Sequence, residues 1–216
     1  RAHHPDSVIH LAGLKSVQEG ELYPDKYFYT NVSGTVSLLN ALKEYRCSNF
    51  IFSSSATVYG RPEYLPYDEE HPTAPVNNYG RTKLSAEQII HDWSINNNVS
   101  TVSLRYFNPV GAHESGLIGE KPEGVPNNLM PYLLEVISGK LEALNIYGDD
   151  YDTKDGTGER DYIHITDLAQ AHVSALVYCK KNVINDVFNI GTGESISVFD
   201  IINTFKKSLN ININYN

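Results

Sequence analysis

Apolar runs alternate with helical patterns along the first half of the chain. Three runs are predicted to be buried strands, and each ends in small or polar residues: 7–13, 49–55 and 99–108. Helices are predicted between them, from Pro24 to about Tyr45 and from Tyr79 to about Ile90. This order predicts an α/β protein with a doubly wound parallel sheet, in which ligands bind at the carboxyl ends of the strands.

The second half of the chain has shorter and less regular patterns. We predict strands at 143–148 and 187–191, and helices over 127–138, 166–180 and 197–209. Residues 61–78 contain four prolines and are predicted to be a surface loop. The irregular segment 111–132 is long for a compact domain, which makes it a candidate binding loop. The glycine-rich run 189–193 lacks the spacing of a phosphate loop, so we interpret it as a turn.

Composition and charge narrow the classes of function. The 216 residues carry a net charge of −9 with no basic run, so we expect neither nucleic acid nor an anionic membrane as a partner. Cys47 and Cys179 lie far apart, which suggests reduced thiols in a cytoplasmic protein. The acidic segment 148–158 lacks the glutamate and spacing of an EF-hand, so no metal site is predicted.

The candidate chemistry lies in residues 53–83. Ser55 ends a predicted strand, and Tyr79 and Lys83 are one helical turn apart and share a face. A lysine cation at about 4 Å would favour the tyrosine phenolate by roughly 4 kcal/mol at an effective dielectric of about 20. That is at most about 3 pKa units, enough to make the tyrosine a base near neutral pH. A chance pair, with an aromatic anchor and a solvated lysine, is the alternative.

These motifs resemble the extended short-chain dehydrogenase/reductase superfamily. Within it, the chain is similar to the UDP-glucose 4-epimerase family, most distinctly over 111–132. The resemblance covers essentially the whole chain and implies a Rossmann-like sheet, NAD as cofactor and a UDP-hexose as substrate. The implied activity interconverts UDP-galactose and UDP-glucose, in galactose metabolism, by transient oxidation at hexose C4. It also implies a partial NAD-binding domain over 1–110 and a substrate-binding part, interleaved with returning Rossmann elements, over 111–216.

The resemblance also implies roles for individual residues. Ser55, Tyr79 and Lys83 are the implied catalytic residues. The implied cofactor contacts are Leu11, Ala12, Gly13, Lys15, Asn31, Ser53, Tyr79, Lys83 and Phe107, with Thr30 as the alternative to Asn31. The implied substrate contacts are Lys15, Ser55, Ala56, Thr57, Tyr106, Asn108, Asn127, Asn128, Leu129, Asn145, Ile146, Tyr147 and Arg160.

Two other interpretations stay open. A nucleotide-sugar 4,6-dehydratase would share the fold and the cofactor, but it usually has an acidic pair where this chain has Ala56-Thr57. A non-catalytic relative would bind a sugar nucleotide or only a partner. The chain begins with Arg1 and has no G-x-x-G-x-x-G turn, so we expect a central piece of an epimerase, truncated at both ends. Activity is then expected of the complete protein, for which the resemblance allows a homodimer.

Overall fold

A computed structural model describes residues 4–45, 47–121, 126, 128–181 and 183–216. The strands are β1 (Ser7–His10), β2 (Asn49–Ser53), β3 (Ser100–Tyr106), β4 (Asn108–Val110), β5 (Glu159–Arg160), β6 (Tyr162–His164), β7 (Asn185–Ile190) and β8 (Ile196–Ser197). The α-helices are α1 (Val17–Leu22), α2 (Pro24–Tyr27), α3 (Gly34–Leu42), α4 (Asn78–Asn97), α5 (Leu129–Ile137), α6 (Ile165–Cys179) and α7 (Val198–Leu209). A π-helical segment, Phe28–Ser33, joins α2 to α3, and a short 3₁₀ helix covers Ala56–Val58.

The chain divides into two compact units. The first contains residues 1–107 and 167–190, and the second contains residues 108–166 and 191–216. The sequence-based division at 110/111 lies three residues from the first of these boundaries. Residues 167–190, with most of α6 and all of β7, return to the first unit.

The first unit is built on a four-stranded parallel sheet in the order β1-β2-β3-β7. Alternate side chains of β2 point to opposite faces of the sheet. Phe50 and Phe52 pack in one apolar cluster with residues of α3 and α4, whereas Ile51 packs in another with residues of α6. Helices therefore cover both faces, which confirms the predicted doubly wound α/β fold.

The second unit has its own apolar core. Leu133 of α5 and Ile202 of α7 are fully buried in it, together with Leu144 and Ile213. The local pairing is limited to two short ladders, a parallel one between β4 and β6 and an antiparallel one between β5 and β8. Packing of two amphipathic helices, rather than an extended sheet, holds this unit together.

Two predicted strands need correction, and one helix was missed. The predicted strand at 143–148 is wrong, since only Leu144 forms a bridge, with Tyr215. Backbone hydrogen bonds join Leu144 and Ile146 to Asn214 and Asn216, so the pairing is confined to this short stretch. The predicted strand at 99–108 is divided at Phe107, and the helix α1 at Val17–Leu22 was not predicted. No helix in the described part of the chain is long and apolar enough to cross a membrane.

Candidate active site

The carboxyl end of β2 places three serines in different environments. The Ser53 carbonyl accepts a hydrogen bond from Lys83 Nζ at 2.8 Å, and its hydroxyl pairs with His172 Nε2 at 2.6 Å. The Ser54 hydroxyl donates to the Glu87 carboxylate. Ser55 caps the 3₁₀ helix, with its Oγ accepting from Thr57 N at 3.3 Å and Thr57 Oγ1 at 3.0 Å. The turn is thus bound to α4, to α6 and to the 3₁₀ helix that follows it.

Helix α4 presents Tyr79 and Lys83 to that turn. The helix begins where the Asn77 side chain accepts from Gly80 N at 2.7 Å. A Cβ at Gly80 would lie 2.7 Å from the Thr57 carbonyl oxygen, so glycine lets the first turn of α4 pack directly on the segment after Ser55. Tyr79 and Lys83 are both buried, and Ser55 lies close enough to the Tyr79 phenol to lower its pKa. The structure therefore brings the three predicted catalytic residues together.

The pKa values of Tyr79 and Lys83 differ from those expected from the sequence. Burial raises the pKa of Tyr79 well above its ordinary 10, assisted by Tyr106, while the Ser55 hydrogen bond opposes the rise. Burial also lowers the pKa of Lys83 to about 8, which the Glu87 carboxylate opposes. The predicted lowering of the Tyr79 pKa is wrong for this structure, because the cost of burying a phenolate exceeds the attraction of a cation that is itself buried.

The loop after β1 lies beside Lys83. Leu11, Ala12 and Gly13 are exposed, and a Cβ at Gly13 would lie 3.1 Å from Asn31 Oδ1 and 3.8 Å from Lys83 Nζ. Backbone that is exposed and this close to an ammonium group can receive a polar ligand. Lys15, also exposed, follows in the same loop.

Thr30 and Asn31, the two alternative cofactor contacts, have different environments. Thr30 is exposed, whereas Asn31 is buried in the π-helical segment. The Asn31 amide donates to the Leu14 carbonyl at 3.0 Å and to Thr82 Oγ1 at 3.1 Å, and its Oδ1 accepts from Leu14 N at 2.8 Å. Asn31 thus ties the loop after β1 to α4, and both donors of its amide are used within the protein.

The other predicted contacts in the first unit lie at the end of β3 and in the 3₁₀ helix after Ser55. Tyr106 ends β3 half-buried, and burial raises the pKa of its phenol, which Ser53 opposes. Phe107 follows, with its backbone N–H donating to the Ile190 carbonyl at 3.2 Å. Ala56 and Thr57 are half-buried in the 3₁₀ helix directly after Ser55. The first unit therefore gathers the predicted cofactor contacts and part of the predicted substrate contacts.

The remaining predicted substrate contacts belong to the second unit and are more exposed. Asn108 donates through Nδ2 to the Asp161 carbonyl at 2.8 Å. Asn128 is the exposed N-cap residue of α5, without a side-chain capping bond, and the predicted contact Asn127 lies outside the described residues. Leu129 and Ile146 pack against the apolar core of this unit.

The exposed members of that set have few partners among the described residues. Tyr147 is 83% exposed, and among the described residues the Asn145 side chain accepts one long hydrogen bond, from Asn216 Nδ2 at 3.3 Å. Arg160 donates to the Glu159 carbonyl at 2.7 Å. Among the described residues, no hydrogen bond or ion pair joins Arg160 to Asn145 or Tyr147.

The turn interpretation of 189–193 is confirmed. The Asp161 carboxylate accepts from Thr192 N at 2.8 Å, from Gly193 N at 2.8 Å and from Thr192 Oγ1 at 2.9 Å. An internal carboxylate therefore occupies backbone donors that a phosphate loop would offer to its ligand. Within the described ranges, no group of three or more histidine, cysteine or acidic side chains could hold a metal ion.

Sequence reasoning missed four buried polar residues that are connected by hydrogen bonds to the Ser53–Ser55 turn or to one another. Glu87, Arg105, His172 and Tyr59 are buried and hydrogen-bonded in the first unit. One signal was available for Glu87, which follows Tyr79 and Lys83 at intervals of four on the same helix face. Arg105, Tyr59 and the Nε2 atom of His172 have their partners in distant parts of the sequence, so these contacts depend on the tertiary structure.

Comparison with known proteins confirms the resemblance. The chain is 51% identical over 203 residues to a UDP-glucose 4-epimerase of Bacillus subtilis (strain 168), covering 94% of the chain and 60% of that relative. It is 49% identical over 211 residues to the UDP-glucose 4-epimerase of Homo sapiens, covering 97% and 61%. The chain thus spans about 60% of the length of these curated relatives.

A solved structure gives the same result for the fold. A UDP-glucose-4-epimerase from Stenotrophomonas maltophila, with bound NAD and formylated UDP-arabinopyranose, superposes with a TM-score of 0.95 at 44% identity, covering 98% of this chain and 63% of that one. The sequence model of one family, described as the NAD dependent epimerase/dehydratase family, matches residues 1–191. This chain belongs to the NAD dependent epimerase/dehydratase family.

Proposed function

We propose that the complete protein containing this chain is an NAD-dependent enzyme that interconverts UDP-galactose and UDP-glucose by inverting hexose C4. The observation that carries the proposal is the convergence of Ser55, Tyr79 and Lys83 at the end of β2. Identity of about 50% with curated UDP-glucose 4-epimerases supports the choice of substrate. We place the activity in galactose metabolism in the cytoplasm, where the free, buried thiols of Cys47 and Cys179 would stay reduced.

The residues near β1 and α4 fit a dinucleotide cofactor. Among the described residues, only the Ser53 carbonyl accepts a hydrogen bond from Lys83, which leaves donors of the ammonium group for ribose hydroxyls. The residues that would hold NAD are Leu11, Ala12, Gly13, Lys15, Asn31, Ser53, Tyr79, Lys83 and Phe107. NAD, when bound, supplies the reversible hydride acceptor that inversion of a C–H centre requires.

The side chains of this chain then move and hold protons. Tyr79 accepts the proton of the sugar 4-hydroxyl as the phenolate and returns it as the phenol. The Lys83 cation, 5.8 Å from the Tyr79 ring centre, favours the phenolate that accepts this proton, whereas burial favours the phenol that returns it. Ser55, held by Thr57, hydrogen-bonds the same sugar oxygen and orients it toward Tyr79.

The uridine diphosphate is proposed to bind the second unit. Asn128 and Leu129 begin α5, whose first backbone N–H groups favour an anionic diphosphate. The exposed guanidinium of Arg160 matches the oxygens of a phosphate, and Asn145, Ile146 and Tyr147 would contact the uracil ring. Lys15, Ala56, Thr57, Tyr106, Asn108 and Asn127 complete the proposed substrate contacts. For the complete protein we propose a homodimer.

The test is an assay of the complete protein with UDP-galactose and no added cofactor. We expect UDP-glucose to accumulate to equilibrium, because the hydride is returned to the same sugar. A 4-keto-6-deoxy product would instead identify a 4,6-dehydratase, and no turnover by a folded, NAD-loaded protein would identify a non-catalytic relative. The residues Ala56-Thr57, which stand where the dehydratases usually carry an acidic pair, favour the epimerase.

A further inference from the structure

Helix α4 carries a third buried polar residue on the face of Tyr79 and Lys83. Glu87 follows Lys83 by four residues and is 7% exposed. Buried carboxylates are costly unless they are paired and hydrogen-bonded. Glu87 meets this condition through two different elements, the turn after β2 and the strand β3.

The contacts of Glu87 lead directly to the catalytic turn. Its carboxylate accepts from the Ser54 hydroxyl, between the Ser53 carbonyl that binds Lys83 and the predicted catalytic Ser55. The same carboxylate pairs with Arg105, which donates from Nη2 to Oε2 at 2.7 Å and from Nε to Oε1 at 3.1 Å. The bidentate geometry fixes the carboxylate in one orientation.

Arg105 extends the connection to the segment that follows Ser55. Its Nη1 donates to the Tyr59 hydroxyl at 3.1 Å, and that hydroxyl donates to Asn189 Oδ1 at 2.7 Å. The guanidinium also lies 4.9 Å from the centre of the Tyr59 ring. Tyr59, four residues after Ser55, is therefore bound to the same ion pair that holds Ser54.

We propose that Glu87, paired with Arg105, is a positioning residue that fixes the Ser53–Ser55 turn and supplies the negative charge facing Lys83 on the same helix face. This role goes beyond anchoring the fold, because it acts on the residue that would bind the cofactor ribose. The inference rests on the proposed function for its activity measurement only.

The proposed effect of the Glu87 charge on Lys83 can be tested, because few charged groups surround Lys83 among the described residues. On its own helix Lys83 faces Tyr79 and Glu87, and from β1 it faces His10. Burial lowers the pKa of Lys83 to about 8, and the Glu87 carboxylate opposes this. Arg105 pairs with Glu87 and compensates part of its charge. Removing the charge of Glu87 should therefore lower the pKa of Lys83 further.

The first experiment is a double-mutant cycle with Glu87→Gln and Lys83→Met in the complete protein, followed by urea unfolding at pH 6.5 and pH 9.5. Glutamine keeps the shape and one acceptor oxygen but not the charge. At pH 6.5 Lys83 is protonated, so Glu87→Gln should cost more stability in the wild-type background than in the Lys83→Met background. At pH 9.5, above the pKa of about 8, this difference should shrink. Equal coupling at both pH values, or none at pH 6.5, would overturn the electrostatic role.

Asp92→Asn is the matched control for this cycle. Asp92 lies on the same helix, its side chain is 82% exposed, and its partner is His91. The same carboxylate-to-amide change should show no coupling with Lys83→Met at either pH. Coupling as strong as that of Glu87 would mean that the cycle reports the net charge of α4 and would overturn the assignment.

The second experiment tests positioning through Ser54. Ser54→Ala removes only the hydroxyl that Glu87 holds, and it keeps the experiment decisive if Glu87→Gln does not fold. We expect kcat to fall by up to about 10²-fold, the usual effect of a small misplacement, while the KM for UDP-galactose changes little. Unchanged kcat in Ser54→Ala would overturn the positioning role. If the wild-type protein has no epimerase activity, the proposed function fails, but the unfolding cycle still decides the role of Glu87.

Discussion

The two groups of predicted site residues are held very differently by the protein. Ser55, Tyr79 and Lys83 are 5–7% exposed and lie among hydrogen bonds that connect β2 and α4. In the second unit, Tyr147 is 83% exposed and the N-cap Asn128 makes no side-chain capping bond. One group is oriented by the fold itself, whereas the other offers side chains that a ligand can order.

The buried residues should therefore affect turnover and stability, whereas the exposed residues should affect substrate binding. A buried polar residue that loses its partner leaves an uncompensated group in the interior, so its substitution affects folding. An exposed residue can be replaced with little effect on folding. Substitutions in the two units should therefore fall into different classes when turnover, stability and KM are measured separately.

The largest expected effect is that of Tyr79→Phe in the complete protein. Loss of the proton-carrying hydroxyl should reduce kcat roughly 10²–10⁴-fold, the usual contribution of a positioned general base. The KM for UDP-galactose should change little, since the phenol is one of many contacts. Steady-state kinetics with UDP-galactose measures both constants. Near-normal turnover would show that Tyr79 and Lys83 are a chance pair, an aromatic anchor and a buried lysine without a catalytic role.

The next effect concerns the buried ion pair. Arg105→Met leaves the Glu87 carboxylate uncompensated, which should lower the free energy of unfolding by about 3–5 kcal/mol. Lys140→Met, in the exposed pair with Glu135, is the matched control and should change it by no more than about 0.5 kcal/mol. Urea denaturation at pH 7 measures both. Equal losses in the two variants would contradict the proposed importance of burial.

A pH effect is expected from His10, which is buried at the end of β1. Burial, and then the charge of Lys83, lowers the pKa of His10 from 6.5 to about 4. The unfolded state therefore binds the proton first, so stability present above pH 6.5 is lost as the pH falls toward 4. The difference in unfolding free energy between wild type and His10→Gln should shrink by about 3 kcal/mol over that interval. Parallel stability curves would exclude a buried neutral His10.

The smallest effect on folding is expected at Tyr147. Tyr147→Ala should leave the unfolding free energy within about 0.5 kcal/mol of the wild type. If the tyrosine contacts the uracil ring, the KM for UDP-galactose should rise while kcat stays close to normal. Tyr151→Ala, at another exposed tyrosine nearby, is the control and should change neither constant. An unchanged KM in Tyr147→Ala would remove that residue from the proposed substrate site.

Local patterns were sufficient for the sheet and for bringing Ser55, Tyr79 and Lys83 to one end of it. The apolar runs that end in Gly13 and Ser55 identified neighbouring parallel strands, because buried strands are apolar on both faces. The interval of four between Tyr79 and Lys83 placed both side chains on one helix face. The predicted strand at 143–148 failed because its pairing depends on a distant segment, residues 214–216, which pairs only with Leu144 and Ile146 in the described part of the chain.

The electrostatics of the site could not be derived from spacing. The interval between Tyr79 and Lys83 gives the proximity of a cation but not the burial of both groups, which raises the pKa of the phenol and lowers that of the amine. Likewise, Glu87 and Arg105 are 18 residues apart on different elements, and only the packing of α4 against β3 brings them together. Helix α1 was missed because Gly20 lies in its middle.

The central claim is that the complete protein inverts C4 of the sugar by moving the C4 hydrogen as a hydride that is returned. The most direct measurement follows UDP-galactose deuterated at C4 in ordinary water, with the product analysed by mass spectrometry and NMR. Our account predicts UDP-glucose that keeps deuterium at C4. Loss of the deuterium to solvent would show removal of the hydrogen as a proton and would contradict the account.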